Sequence, residues 1–211
     1  MTDSDSLVFV VDDDDSVRRA LGRLIHSAGY RVETFDNAHA FLERLRDVTS
    51  PACLVLDVQL PDLDGLELQR ELKALLPIIF ITGHGDIAMT VGAMKAGASD
   101  FLAKPVNDAD LLGAIEAAFE RVAQTRAVRC ELDVIRGRLD RLTPREREVM
   151  ALVVTGRLNK QVAGELGTVE KTIKAHRARV MAKMEVTSLA QLVRVADKLG
   201  FDGTVEARVV H

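Results

Sequence analysis

Short apolar runs alternate with amphipathic stretches over the first 105 residues. The runs are Leu7–Val11, Arg31–Phe35, Cys53–Leu56, Ile78–Ile81 and Phe101–Leu102. Between them, residues 16–28, 37–47, 65–75 and 86–96 carry apolar side chains at helical spacing, and a further helix begins near Asp108. Strand alternating with helix predicts an α/β, doubly wound sheet of five parallel strands covered on both faces. Ligands and chemistry in such an open sheet lie beyond the carboxyl ends of the strands. The positions to inspect therefore follow Val11, Leu56, Ile81 and Leu102.

From Asp108 to Leu142 there is neither a strand signal nor a proline. Leu111, Leu112, Ile115, Ala118, Phe119 and Val122 share one helical face. Leu132, Ile135, Leu139 and Leu142 resume it after a more polar interval at 123–131. Thr143-Pro144 then punctuates the chain as an N-cap followed by proline at the first helical position. Beyond it the pattern is helical over about 144–155, 159–166, 169–184 and 188–199. The predicted organisation is an α/β domain at 1–122, a helical linker at 123–141, an all-α domain at 142–200 and a frayed tail at 201–211.

Composition narrows the class. No apolar run approaches the roughly 18 residues of a membrane span, and the acidic start Met1–Ser6 does not read as a secretory signal. Cys53 and Cys130 lack metal spacing and read as reduced thiols of a cytoplasmic protein. The net charge of −4 hides an asymmetry. Residues 141–211 carry 13 Lys/Arg and 8 Asp/Glu, a net of +5, which leaves −9 for residues 1–140. An acidic front and a basic back point to different partners, with a polyanion for the back.

The strand ends supply a coherent chemistry. After the first run come Asp12, Asp13, Asp14 and Asp15; after the third, Asp57; after the fourth, Thr82; after the fifth, Lys104-Pro105. Carboxylates gathered at one point repel each other, and a hard divalent cation relieves the repulsion. A carboxylate can attack phosphorus to give an aspartyl phosphate. A lysine and a hydroxyl opposite would hold the transferred group by charge-assisted hydrogen bonds. Asp14 and Asp15 run on into a helix, where they read as caps or solvated charges. His84 has no nucleophile beside it and reads as a loop residue.

The string Val10-Val11-Asp12-Asp13, then Leu56-Asp57 with Pro61-Asp62 and Gly65, then Ile81-Thr82-Gly83-His84-Gly85-Asp86, then Lys104-Pro105, resembles the receiver domain of response regulators. The run from Ile81 through Met94-Lys95-Ala96-Gly97-Ala98 is similar to the FixJ subgroup. The resemblance implies that Asp57 is the phosphoacceptor. It implies Mg2+ or Mn2+ held directly by Asp13, Asp57 and the backbone carbonyl of Gln59, with Asp12 acting through water. Thr82 and Lys104 would hold the phosphoryl group, and Phe101 takes the place of an aromatic switch. Val91, Met94 and Lys95 would form the face on which activated chains dimerise.

Asp13-Asp14-Asp15-Ser16-Val17 also fits the Asp-x-Asp-x-Val signature of haloacid-dehalogenase-type phosphatases. Asp13 would then be the nucleophile and Asp15 the general acid. That reading needs a late acidic motif after another strand, which does not follow Lys104, and it leaves Asp57 and the basic end without a role.

The basic end carries its own pattern. Asn159–Leu166 reads as a short helix ending at Gly167, and Thr172–Met184 as a longer basic one. A short helix, a Gly-containing turn and a basic helix describe a helix-turn-helix. Ile173, Val180 and Met184 recur at helical spacing and face a core, leaving Lys171, Lys174, Arg177 and Ala178 away from it. Small Ala175 and Ala178 would allow close approach to base edges. The stretch Leu142–Leu199 resembles the LuxR/NarL-type helix-turn-helix. By that match Lys174 and Ala175 face the groove, while Asn159, Lys160, Lys171, Thr172, Arg177 and Arg179 contact the DNA backbone; His176 takes a structural or phosphate-contact role. The two resemblances cover about 180 of the 211 residues. They imply a transcription factor with a cognate histidine kinase, double-stranded promoter DNA, a second copy of itself and RNA polymerase as partners, and no membrane. They imply no metabolic enzyme, only slow loss of the protein's own phosphate.

Four departures stand out. Glu71–Pro77 is shorter than the receiver pattern has before its fourth strand. Leu60 replaces a common methionine and Val106 a common phenylalanine. Before the basic helix, Thr168-Val169 replaces an apolar-then-Ser/Thr order; Val169 cannot cap, which costs about 1 kcal/mol unless Thr168 caps one residue early.

Overall fold

The computed structural model describes residues 6–61, 63–72, 75–83 and 87–201, except for the side chains of 87–89. Asp62, the His84-Gly85-Asp86 run, residues 73–74 of the shortened segment and tail residues 202–211 lie outside the described residues. The chain divides into two compact units, residues 1–125 and 126–211.

The first unit is a five-stranded parallel sheet in the order β2-β1-β3-β4-β5. Its strands are β1 (Leu7–Val11), β2 (Arg31–Phe35), β3 (Ala52–Asp57), β4 (Ile78–Thr82) and β5 (Asp100–Ala103). They alternate with α1 (Asp15–Ser27), α2 (Ala38–Leu45), α3 (Gly65–Leu72), α4 (Ile87–Lys95) and the start of α5 (Asp108–Asp140). β1, β3 and β4 are buried at every position because helices cover both faces. Alternate residues go to opposite faces. Phe9, Leu54, Leu56 and Phe80 meet Phe41, Leu68 and Ala93 on one side. Val8, Val10, Val55, Ile79 and Ile81 meet Leu21, Ile25, Leu111 and Ile115 on the other. The edge strands β2 and β5 are only partly covered.

The second unit packs α6 (Pro144–Val154), α7 (Asn159–Glu165), α8 (Glu170–Lys183) and α9 (Leu189–Lys198) around one core. Thr143 caps α6, accepting from Glu146 N–H while Glu146 reaches back to Thr143 N–H, and Pro144 opens the helix. Gly167, with φ +62°, makes the left-handed turn between α7 and α8, a conformation that favours glycine.

The helical linker read at 123–141 is the continuation of α5, which runs to Asp140. Its later residues Ile135 and Leu139, with Leu142, pack into the second core. Glu131 pairs with Lys198 at 2.5 Å and Arg138 with Glu185 at 2.6 Å. Phe201, assigned to the frayed tail, is half-buried against the same core.

Candidate functional site

Parallel pairing brings the predicted strand-end residues to one edge of the sheet. β1 pairs with β3 and β3 with β4, so the ends after Val11, at Asp57 and at Thr82 are neighbours. Lys104 follows β5, and its backbone N–H donates to Thr82 O at 2.7 Å. Its ammonium lies 2.8 Å from Asp12 Oδ2 and 2.6 Å from Asp57 Oδ2. Asp12, Asp57 and Thr82 are buried, while Asp13 is exposed at the rim. One carboxylate oxygen from each of Asp12, Asp13 and Asp57 lies within 4.8 Å of the others.

The electrostatics are those of an overcharged pocket. Burial pushes the Asp12 carboxyl above the usual carboxylate range, against the opposing pull of the Lys104 hydrogen bond and charge. Burial also opposes the Lys104 charge, but the hydrogen bonds to Asp12 and Asp57 outweigh it and hold the ammonium above its ordinary value. Three carboxylates against one ammonium leave excess negative charge among oxygen-only donors. That donor set suits a hard divalent cation such as Mg2+.

Local sequence explains the placement. Asp12 Oδ1 accepts from Asp14 N–H at 2.9 Å, and Asp57 Oδ1 accepts from Gln59 N–H at 3.0 Å. Gln59 itself is exposed beside Asp57. A Cβ at Gly65 would lie 2.9 Å from Asp57 O and 3.0 Å from Val58 Cα, so α3 starts against the Asp57 backbone only because residue 65 has no side chain. Asp14 is the N-cap of α1, accepting from Ser16 and Val17 N–H, and those bonds hold its carboxyl below the usual range. Asp15 forms ion pairs with Arg18 and Arg19.

Away from the acids, Phe101 is half-buried, with its ring 6.2 Å from Phe80. Val91 and Met94 on α4 are each 45% exposed, and Lys95 is exposed beside them.

In the second unit, α8 buries Ile173 and Val180 and turns the opposite face outward. Lys171, Lys174, Ala175 and Ala178 are exposed at i, i+3, i+4 and i+7 and form one stripe. Thr172 and Arg179 flank it on one side and Arg177 on the other. Arg177 donates to Asn159 Oδ1 at 3.2 Å, Lys174 pairs with Glu170 at 3.1 Å, and Lys160 is exposed at the start of α7. Val169, and not Thr168, is the N-cap of α8, and it supplies no side-chain bond.

Sequence reading missed three groups. Arg18 donates to backbone carbonyls in the acidic loop. Lys183, in the helix read as basic, pairs with buried Glu146 at 2.6 Å. Arg145 donates to Leu166 O at 2.5 Å at the end of α7. The Thr143-x-x-Glu146 spacing was the available signal for the second group. For the other two the signal is tertiary.

Residues 8–116 match the family described as response regulator receiver domain, and residues 140–196 match bacterial regulatory proteins, luxR family. Nodulation protein W of Bradyrhizobium diazoefficiens is 51% identical over 199 residues, covering 92% of this chain and 87% of that protein. Transcriptional regulatory protein FixJ of Rhizobium meliloti is 43% identical over 201 residues, covering 94% and 98%. The solved structure of response regulator StyR matches with a TM-score of 0.79 at 49% identity, covering 92% of this chain and 99% of that one. The phosphatase alternative has no support in this geometry, in which Lys104 reaches Asp12 and Asp57 while Asp13 stays exposed. A receiver fold with its acids and lysine at one sheet edge, followed by a luxR-type helix-turn-helix, makes this chain a member of the FixJ subgroup of two-component response regulators.

Proposed function

We propose that Asp57 accepts a phosphoryl group from a partner histidine kinase, and that this controls promoter binding by the second unit. The observation that carries the reading is the Lys104 ammonium held between Asp57 and Asp12. An Asp57 carboxylate oxygen attacks the phosphorus of a phosphohistidine. A P–O bond forms, the P–N bond breaks, and the departing imidazole takes up a proton. Lys104 and the Thr82 hydroxyl then hold the phosphoryl oxygens of the acyl phosphate. Asp13, Asp57 and the Gln59 carbonyl would hold Mg2+ or Mn2+ directly and Asp12 through water. The cation supplies positive charge against the phosphoryl oxygens.

The added charge draws Thr82 inward and lets Phe101 pack more deeply, which alters the α4 face of Val91, Met94 and Lys95. Two chains pair through that face and present two recognition helices to a two-fold promoter site. Lys174, Ala175 and Ala178 meet base edges there. Asn159, Lys160, Lys171, Thr172, Arg177 and Arg179 meet phosphates. This reading places the protein in the cytoplasm with RNA polymerase as a further partner; among the described residues no helix is long and apolar enough to cross a membrane. Slow hydrolysis of the acyl phosphate resets the protein, which is a phosphoacceptor and not a metabolic enzyme.

Treatment with acetyl phosphate and Mg2+, followed by mass-spectrometric mapping, is expected to find the phosphoryl group on Asp57. Phosphate on Asp13, or an Asp57→Asn chain that still dimerises and binds its promoter after phosphodonor treatment, overturns the reading.

A further inference from the structure

The acids of the pocket are held by more than their own side-chain contacts. Arg18, on the first turn of α1, has a side chain only 15% exposed. Its Nη1 donates to Asp12 O at 2.8 Å and reaches Asp13 O at 3.4 Å, while Nη2 donates to Asp15 Oδ1 at 2.9 Å. It touches neither the Asp12 nor the Asp13 carboxylate in these bonds; it grips the peptide backbone between them.

Asp12 is thereby fixed at four atoms. Its N–H donates to Phe35 O at 3.2 Å, Oδ1 accepts from Asp14 N–H, Oδ2 accepts from Lys104, and O accepts from Arg18. Asp13 is different, because its side chain is exposed and has no such anchors among the described residues. The orientation of its carboxylate depends on the peptide that precedes it and on the carbonyl that follows. Among the described residues, Arg18 is the side chain that holds both.

We infer that Arg18 is a positioning residue of the cation site: its guanidinium clamps the Asp12 and Asp13 carbonyls and so aims the Asp13 carboxylate at the cation shared with Asp57. The inference rests on the cation-site reading given above. It makes a prediction opposite in sign to a plain charge effect. A guanidinium near a cation site repels the cation, so its removal should strengthen binding if charge were its only contribution. A clamp acts the other way, because loosened ligands must be ordered when the ion arrives. Arg18→Lys separates the two. Lysine keeps the charge but lacks the planar fork that spans two carbonyls and a carboxylate.

The test is calorimetric titration of Mg2+ into the unphosphorylated full chain, beside its thermal unfolding in EDTA. Arg18→Met is expected to weaken Mg2+ binding about tenfold, and Arg18→Lys by about half that factor. Asp15→Asn removes the exposed ion pair, leaves the carbonyl clamp, and is expected to stay within about twofold of the wild type. If Arg18→Met unfolds, Arg18→Lys carries the test. Tighter binding by Arg18→Met, unchanged binding by Arg18→Lys, or an equal loss in Asp15→Asn overturns the clamp while the cation site stands. A wild-type chain that binds no Mg2+ overturns the cation-site reading and the clamp with it.

Discussion

Lys183 Nζ lies 2.6 Å from Oε2 of Glu146, whose side chain is 3% exposed. The same oxygen accepts from Thr143 N–H at 2.9 Å, and Lys183 also donates to Arg141 O at 3.1 Å. One carboxylate thus ties the start of α6 to the last turn of α8, which fixes the recognition helix against the core. The Lys183 hydrogen bond, then the Thr143 N–H, holds the Glu146 carboxyl below its ordinary value of 4.5. A carboxylate with a depressed native pKa stabilises the fold above its unfolded value, and that contribution disappears as pH falls from there through the native value. Glu146→Gln is expected to cost about 1–3 kcal/mol, below the upper range for buried pairs because Lys183 is a third exposed. Urea unfolding followed on the second unit checks this, and the difference from the wild type should shrink below pH 4.5.

Asp12 has the opposite sign. Its carboxyl is raised by burial, so the native state favours the protonated form relative to the unfolded chain. Ionised Asp12 therefore costs stability at neutral pH, and the cost fades as pH falls through its raised native value towards 3.8. Asp12→Asn is expected to raise the melting temperature at pH 7 by a few degrees in EDTA, in line with stability given up for function in charged sites. The gain should vanish near pH 4. A lower melting temperature at pH 7 would mean that the Lys104 pair outweighs the burial cost.

Much of this arrangement was legible because it repeats along the chain. Val8, Val10, Phe9 and Val11 alternate between the two cores, and a chemistry-bearing residue follows each buried strand. Asp12, Asp57, Thr82 and Lys104 could be placed together from strand ends alone. What stayed hidden depends on side chains crossing between elements. Nothing local marks Arg18 as a ligand of carbonyls rather than a solvated charge beside Arg19. Nor does helical spacing reveal that Lys183, on the basic helix, meets a buried acid on another helix. The linker at 123–141 reads as helix and α5 continues to Asp140, but which core its apolar face joins is settled by tertiary packing. Residues 123–131 are polar enough to resemble a connector, yet Ile135 and Leu139, a few residues on, supply core side chains to the second unit.

Val169 leaves the first turn of α8 without a side-chain cap, and its own side chain is 66% exposed. It therefore loses little packing on replacement. Val169→Ser should supply a side-chain acceptor to that turn, where Thr172 N–H now donates to Val169 O at 3.0 Å, and stabilise the second unit by about 1 kcal/mol. Chemical denaturation of the full chain checks the gain. If the midpoint does not move, the N–H groups at this end are adequately solvated without a cap.

The stripe on α8 and its flanks should separate in a salt titration. Arg179 lies beside the stripe of Lys171, Lys174, Ala175 and Ala178 rather than within it. A phosphate contact contributes counterion release irrespective of sequence, whereas a base contact contributes discrimination. Arg179→Ala is expected to lower the slope of log K against log salt by about 1, with sequence preference kept. Lys174→Ala is expected to cost about 1–3 kcal/mol on a selected site and to relax preference at one base pair. It also removes the exposed pair with Glu170, which is worth little by itself. Fluorescence anisotropy on selected and scrambled duplexes, with the phosphorylated chain at several salt concentrations, measures both quantities. If Lys174→Ala weakened both duplexes equally and only the salt slope changed, Lys174 would be a phosphate contact, and base readout would have to come from the Ala175 and Ala178 surface.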